Sequence, residues 1–437
     1  MLVGGGQLLR RADSAVGAPE PVAMMAEVAR LAADDAQATG GAAGLLARID
    51  SVRTTDTISW KYENAPALLS QELAVSPRQL LASTVGGNSP QMLVNDAAAA
   101  IRRGDLDVAV VAGAEAIYAR LLARKEKSWL EWTSQDGSTL GPEMMGDDRP
   151  GTSEAEMARS LALPTQVYPI FENALRAAAG ETVDEHQVKV SELWSRFSEV
   201  AAKNPYAWSP EARSADEIRT VTPENRMIGF PYPKLMNANI QTDQAAAVIV
   251  CSVEAARAAG VPEDRWVFVH AGADAQDHWW VSERADLHSS PAIGACGRAA
   301  LDLAGVTIDE ITHFDIYSCF PSAVQIACHE LGVPLDRQLT VTGGLTFAGG
   351  PGNSYVNHSI ATMVDVLRAD PGTLGLVTAL GWFITKHSIG IYSTEPPASG
   401  FAAAHPQHEV DASPRRALAV ELDGDVTVES HTVIYDR

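Results

Sequence analysis

The feature that most constrains the fold is an internal repeat. Residues 84–113 read TVGGNSPQMLVNDAAAAIRRGDLDVAVVAG: a glycine turn, an apolar helix, a charged break, a strand-like run and a glycine. Residues 342–381, TGGLTFAGGPGNSYVNHSIATMVDVLRADPGTLGLVTALG, follow the same order. Both turns contain Gly-Asn-Ser (Gly87-Asn88-Ser89 and Gly352-Asn353-Ser354), and both helices carry Val-Asn near their start. Each helix is apolar on nearly every side, and such a helix belongs in a core layer. Two similar halves, each supplying one buried helix, predict a duplicated α/β fold with helices sandwiched between two sheets.

Other apolar runs of strand length lie at 245–252, 266–273 and 313–320, continuous rather than alternating, as suits strands buried on both faces. Helical segments lie between them, at 21–36, 292–305 and 322–332. Residues 119–225 break the pattern. They are richer in charge, Trp and Pro, and read as an inserted domain of helices and loops covering a site. Residues 396–416 read as a linker. After it, an Asp423-Gly424 turn flanked by alternating residues predicts a β-hairpin, the start of a C-terminal extension. The first strand, Met1 to Val3 before Gly4-Gly5-Gly6, looks short, and the chain stops inside the last apparent strand, so both ends look clipped. The expected parts are 1–118 with 226–265, the insertion 119–225, a second half 266–395, and 396–437.

A formal net charge of −22 argues against a nucleic-acid or anionic-membrane partner. No apolar stretch approaches the ~20 residues of a membrane span. The N-terminus lacks a signal-peptide core, so a cytoplasmic protein is expected. The four cysteines (Cys251, Cys296, Cys319, Cys328) form no C-x-x-C pair, so neither a metal site nor a disulfide framework is expected. The plainest role for each is a small buried hydrophobe.

The turn at 86–89 carries the question of function. A dinucleotide fingerprint fails at Gly4-Gly5-Gly6, where the sixth position is Leu9. A triphosphate loop fails at 86–91 for want of Gly-Lys-Ser/Thr. A hydrolase elbow lacks its last glycine, since Gly87-Asn88-Ser89-Pro90 is followed by Gln91. Ser89 ahead of Pro90 fits a helix N-cap.

A fourth reading is a resemblance. The stretch 87–116 resembles the nucleophile region of thiolases, with Gly104-Asp105 and Ala112-Gly113-Ala114-Glu115-Ala116 similar to later family motifs. Residues 232–250 resemble the approach to the family's Asp-Gly-Ala-Ala-Ala strand, with Gln244 in place of Gly. Tyr317-Ser318-Cys319-Phe320 resembles the Asn-Glu-Ala-Phe motif, and more closely its His-Asp-Cys-Phe form in sterol-carrier-protein thiolases. Residues 343–354 resemble the Gly-His-Pro region, and Gly381 the last Cys-x-Gly motif. The resemblance covers residues 1–395 and implies a five-layer αβαβα thiolase fold.

The departures bear on mechanism. Cysteine-based thiolysis needs a thiolate, a histidine to activate it, and a second cysteine for proton transfer. The resemblance puts Gly87 at the nucleophile, Gly350 at the histidine, and no cysteine near Gly381. What it leaves is backbone: the Gly87 N–H at a helix N-terminus, with one near Gly381, implies an oxyanion hole. Tyr317, facing the pocket, is the candidate acid or base for carbon–carbon cleavage without an acyl-enzyme, as in thiolase-related aldolases. Tyr317 and Cys319 alternate along a strand-like run and so point the same way. His358 and His387 are replacement bases or satisfied core residues. Asn88 and Asn353 are carbonyl donors or turn formers. Arg120, Arg124 and Lys127, at i, i+4 and i+7, are either a basic face for the phosphates of CoA or a solvated helix face.

The resemblance therefore implies a protein that binds CoA or an acyl-CoA ester, with no covalently bound cofactor and without cysteine-based thiolysis. The alternatives are a cysteine-independent aldolase on acyl-CoA, or a non-catalytic partner subunit in lipid or steroid metabolism. A homodimer, or a partner held by the C-terminal extension, is a further expectation.

Overall fold

The computed structural model describes residues 1–419, 421 and 423–436. In chain order its strands are β1 (Leu2–Arg10), β2 (Ser51–Thr54), β3 (Gln79–Ser83), β4 (Val108–Ala116) and β5 (Glu143–Met145). Then come β6 (Met227–Gly229), β7 (Tyr232–Pro233), β8 (Asp243–Cys251) and β9 (Phe268–Gln276). The last are β10 (Ile311–Asp315), β11 (Leu374–Gly381), β12 (Lys386–Ser393) and β13 (Ala402–Ala404). One sheet has the order β1-β8-β4-β2-β3-β5 and the other β10-β11-β12-β9-β13; β6 and β7 form a small ribbon.

Two helices lie between the sheets: Ser89–Arg103 and Tyr355–Ala369, the helices of the repeat. They touch each other and both sheets. Helices Pro21–Asp35 and Ala65–Leu73 cover the outer face of the first sheet, and Pro291–Ala304 and Pro321–Leu331 that of the second. The result is five layers, with every residue of β4 and β8 buried. Each central helix presses an asparagine against a sheet glycine. A Cβ on Gly272 would fall 2.5 Å from Asn95 Cγ, and one on Gly113 2.9 Å from Asn357 Nδ2.

The first strand is not short. It runs through Gly4-Gly5-Gly6 to Arg10 and pairs antiparallel with β8. The glycines allow close layering: a Cβ on Gly4 would lie 2.8 Å from the Ala32 carbonyl carbon, and one on Gly5 3.2 Å from Ala361 Cα. One helix thus rests on each side of the same three residues.

The segment read as a linker also differs. Ala402–Ala404 extends the second sheet, parallel to β9, and Gln407–Asp411 is helical. Of the expected hairpin, Val420 and Leu422 lie outside the described residues. The described ones around Asp423-Gly424 form no strand. The chain there is held to the body instead. Arg415 bridges to Arg284 and Ile434 to Gly229, and Arg416 pairs with Glu429 at 2.7 Å. An exposed Val426 and Val428 bury too little apolar surface to hold a ladder by themselves.

Within 119–225, two long helices, Pro164–Ala179 and Val183–Ala201, pack on the second half. β5 from the same insertion pairs with the edge of β3.

Candidate functional site

The turn at Gly86–Ser89 joins β3 to the first central helix. That helix starts at Ser89, one residue earlier than the N-cap reading of Ser89 implied. Asn88 stands at the cap but makes no side-chain capping bond. Ser89 Oγ instead donates to the Thr84 carbonyl at 3.1 Å, closing the turn from inside. Asn353, from the matching turn of the second half, accepts from Gly86 N at 2.9 Å and donates to the Asp56 carbonyl at 2.9 Å. The two repeat turns are thereby tied to each other.

Gly87 faces Tyr317. A Cβ on Gly87 would lie 2.9 Å from Tyr317 Cζ, 2.5 Å from the Leu380 carbonyl oxygen, and closer still to the Tyr317 hydroxyl. The phenol therefore fills the space that a side chain at Gly87 would enter. Among the described residues its hydroxyl has no hydrogen-bond partner, while its backbone N–H donates to Thr378 Oγ1 at 2.8 Å. Burial, and after it the nearby Cys319 thiol, push its ionisation far above the ordinary phenol range, so it stays protonated. Tyr317 does not lie in a strand. β10 ends at Asp315, and Tyr317 to Cys319 cross an irregular stretch before helix Pro321–Leu331, so strand alternation does not set their directions. At the strand's end the fully buried Asp315 carboxylate accepts from Thr340, Thr342, Tyr355 and Ser359.

Gly381 ends β11. A Cβ there would lie 2.6 Å from Asn88 Oδ1. After it come Trp382 and Ile384, both with φ in the left-handed region, +54° and +55°. Non-glycine residues held so are costly, and such turns cluster at functional sites. Trp382 O accepts from Tyr168 OH at 2.9 Å, and Tyr168 stacks on Phe320 with centroids 4.4 Å apart. Gly350 is different. Its N–H donates to the Asn239 carbonyl at 2.9 Å, and a Cβ on it would find nothing nearer than 3.4 Å.

The two histidines are separated. His358 Nδ1 meets Gln7 Oε1 at 2.9 Å, and the ring lines a cavity of about 10 Å³ shared with Gln244 and Tyr355. Burial lowers its pKa to about 3. His387, on β12, lines another cavity of about 10 Å³ together with Tyr317. Its Nε2 lies 3.5 Å from Ser290 Oγ, which itself donates to Asp277 at 2.6 Å. Burial, against the pull of Asp277, lowers His387 to about 4. Each ring is therefore neutral at pH 7. Cys319 is buried and its thiol is pushed up to about 12. Cys251 is raised by burial to about 11 and Cys328 to about 12, and Cys296 well above its ordinary range.

Arg120, Arg124 and Lys127 are exposed and line none of these cavities. Their helix ends at Glu126, and Lys127 turns left-handed at φ +54°, so it leaves the face that the i, i+7 spacing assigned to it.

Lys386, which sequence reasoning passed over, lies beside the turn. It is opposite Gly381 in the β11–β12 register, 3% exposed, and donates to the Val85 carbonyl at 2.8 Å and to the Asp147 carbonyl. Burial lowers its pKa to about 8, against the charges of Asp147 and Asp148. The only sequence signal was a lysine at the head of the run KHSIGIYS. With Asn88 and His387 it lines a groove of about 460 Å³ along the first central helix. Among the described residues no cluster of His, Cys, Asp or Glu could hold a metal ion, and no helix is long and apolar enough to cross a membrane.

No family model matches the chain. Among solved structures, a monomeric SCP2-thiolase like protein type 1 from Mycobacterium smegmatis is 35% identical, with 99% of this chain and 86% of that one covered and a TM-score of 0.84. The Ltp2–ChsH2(DUF35) aldolase shares the fold at 18% identity, covering 90% of this chain and 97% of that one, TM-score 0.68. An acetyl-CoA acetyltransferase from Syntrophomonas wolfei shares it at 13% identity, covering 90% and 98%, TM-score 0.61. With 35% identity over a match that covers 99% of this chain, the chain belongs to the SCP2-thiolase-like proteins of the thiolase superfamily.

Proposed function

We propose that this protein binds the thioester end of a CoA ester at the Gly86–Asn88 turn and does not perform cysteine-based thiolysis or condensation. The observation that carries the reading is Tyr317 in the place of a side chain at Gly87. No cysteine stands at the turn, the Ser89 hydroxyl there donates to the Thr84 carbonyl, and all four cysteines are buried with thiols held far above neutral pH. An unpartnered phenol O–H at a helix N-terminus suits a carbonyl oxygen as ligand. The likeness to an acetyl-CoA acetyltransferase supports CoA esters as the ligand class. The test is calorimetric titration of the full chain with CoA, acetyl-CoA and a long or steroid-like acyl-CoA, with product analysis of the same mixtures. Binding without free thiol release or condensation product is expected; no binding by any of the three overturns the reading.

One observation favours a second reading. Retro-aldol cleavage of a β-hydroxyacyl-CoA breaks the Cα–Cβ bond as a base takes the hydroxyl proton and the thioester enolate left behind takes one up; the protonated, unpartnered Tyr317 is able to give that second proton, and the neutral ring of His387, which lines the same cavity, is the candidate acceptor of the first. The fold shared with an aldolase supports it. Turnover that survives Tyr317→Phe, or the absence of any cleavage product, removes it. Association with a second copy or another protein through 396–437 is a separate proposal, tested by deleting that segment and measuring mass in solution.

A further inference from the structure

His387 lines both the closed cavity beside Tyr317 and the open groove of about 460 Å³. Its Nε2 lies 3.5 Å from Ser290 Oγ, and Ser290 Oγ lies 2.6 Å from Asp277 Oδ2. We infer that Ser290 and Asp277 hold His387 with its proton on Nε2, leaving Nδ1 as the nitrogen that takes a substrate hydroxyl proton. The base role rests on the second reading above; the placement of the ring proton does not.

The direction of the chain follows from what each group is able to do. A carboxylate only accepts, so the Ser290 O–H donates to Asp277. With its one hydrogen spent, Ser290 has only lone pairs to offer the histidine. A neutral ring meets them with an Nε2–H and keeps Nδ1 bare. Ser290 is 0% exposed, and Asp277 and His387 4% each, so solvent does not compete for these bonds. Ser290 is also out of its ordinary role. It stands at the N-cap of helix Pro291–Ala304, where a serine hydroxyl accepts from the first turn, yet it makes no capping bond. The other Asp277 oxygen, Oδ1, accepts from the His278 N–H at 2.8 Å, which fixes the carboxylate. Burial is the largest influence on the ring and keeps it neutral. Asp277 and the Ile384 backbone favour its protonated form, and the buried Arg284 opposes it. The Ser290 contact is long, as contacts to a base are before substrate arrives.

In the step itself the hydroxyl proton goes to Nδ1, and the Cα–Cβ bond breaks with its electron pair into the thioester enolate. The enolate takes the Tyr317 proton. The extra proton on His387 and the one missing from Tyr317 cancel over a turnover, and the groove that the ring lines gives it a route to solvent for that exchange. No proton leaves Ser290 or Asp277. They are positioning residues, and the carboxylate stabilises the imidazolium through the hydroxyl.

The test is long-range hydrogen–nitrogen NMR of the full chain labelled at histidine nitrogen, near pH 7, with the His387 signals assigned by their loss in His387→Gln. Wild type is expected to show the Nε2–H form in excess by about tenfold or more. In Asp277→Asn the amide oxygen stays on the His278 N–H and the amide nitrogen faces Ser290. Ser290 then accepts, turns its O–H to Nε2, and the ring inverts to the Nδ1–H form. Ser290→Ala is expected to leave a mixture of the two. An Nδ1–H ring in wild type, or an unchanged ratio in a folded Asp277→Asn protein, overturns the inference; if that variant does not fold, the wild-type spectrum decides alone. The same wild-type protein is then mixed with β-hydroxyoctanoyl-CoA. An Nε2–H ring without cleavage keeps the relay and removes the base role together with the aldolase reading. Cleavage by a protein with an Nδ1–H ring keeps that reading and removes the relay.

Discussion

The Tyr317 hydroxyl and a side chain at Gly87 occupy the same space. The Leu380 carbonyl oxygen would also lie 2.5 Å from that side chain's Cβ, so backbone as well as phenol stands in its way. Gly87→Ala is therefore expected to destabilise the protein by about 1–3 kcal/mol, the usual cost of an added carbon in a filled core. Tyr317→Phe should recover part of that loss, because it removes the nearest atom and leaves the ring carbon at 2.9 Å. Urea denaturation of both single variants and the double variant gives the coupling. A coupling energy near zero would mean that the two positions are independent. Gly350→Ala is the control: with nothing within 3.4 Å of its Cβ, it should be neutral or stabilising by about 0.5 kcal/mol.

The triple glycine of β1 is a packing device. Gly6→Ala would place a Cβ 2.7 Å from Ala32 N and nearer still to the Val28 carbonyl. Both are backbone atoms of helix Pro21–Asp35 and cannot rotate aside. A loss of about 3 kcal/mol or more is expected, seen as a drop in melting temperature or as insoluble protein. An unchanged melting temperature would show that this helix does not sit on β1 as described.

His186 couples the insertion to the core by charge. Its ring meets Glu172 at 2.5 Å and Glu181 at 2.7 Å, and Glu172, fully buried, also accepts from Tyr232 at 2.5 Å and Gln325 at 2.7 Å. Burial pulls the His186 pKa down, but the hydrogen bonds and charges of Glu172 and then Glu181 outweigh it and raise the net value above 6.5. A histidine raised in the folded state stabilises fully below its unfolded pKa, and that stability is lost as pH rises through the folded value. His186→Gln should thus cost about 3 kcal/mol near pH 6, and the gap to wild type should narrow as pH rises beyond 7. Melting curves of both proteins from pH 6 to 9 measure it; a gap that widens with pH would contradict the pairing.

Asp315 sets the position of Tyr317. Its Oδ1 accepts from Ser359 at 2.8 Å and Tyr355 at 3.2 Å, and its Oδ2 from the hydroxyls of Thr340 and Thr342, each at 3.0 Å. Asp315→Asn turns one of these oxygens into a donor aimed at donors. About 3 kcal/mol of stability should be lost, and any ligand binding at the turn should weaken with it. Binding that persists in a destabilised Asp315→Asn protein would separate the turn from this network.

The order of motifs, the duplication and the two buried helices were legible because burial writes itself locally. A helix apolar on every side has only a core to go to, and a continuous Val-rich run suits a strand covered on both faces. The absence of a residue able to act as nucleophile at Gly87 was equally legible, since it depends on residue type alone. By contrast, Tyr317 and Cys319 were expected to continue a strand. The chain leaves β10 after Asp315, whose carboxylate collects donors from residues 340–359, contacts that no local pattern reveals. The same holds for Ala402–Ala404, which joins the sheet only because β9 offers an open edge. It holds also for Lys386, whose buried carbonyl partners come from residues 85 and 147.

By itself the sequence determined the fold class, the paired turns and the absence of a nucleophilic side chain at Gly87, because each follows from residue type and period. Only the tertiary structure decided what fills the space beside Gly87, which histidine shares a cavity with Tyr317, and where an open groove meets the turn. Those are contacts between residues 70 to 298 positions apart, and their distances are set by how the five layers stack, not by anything a neighbouring residue encodes.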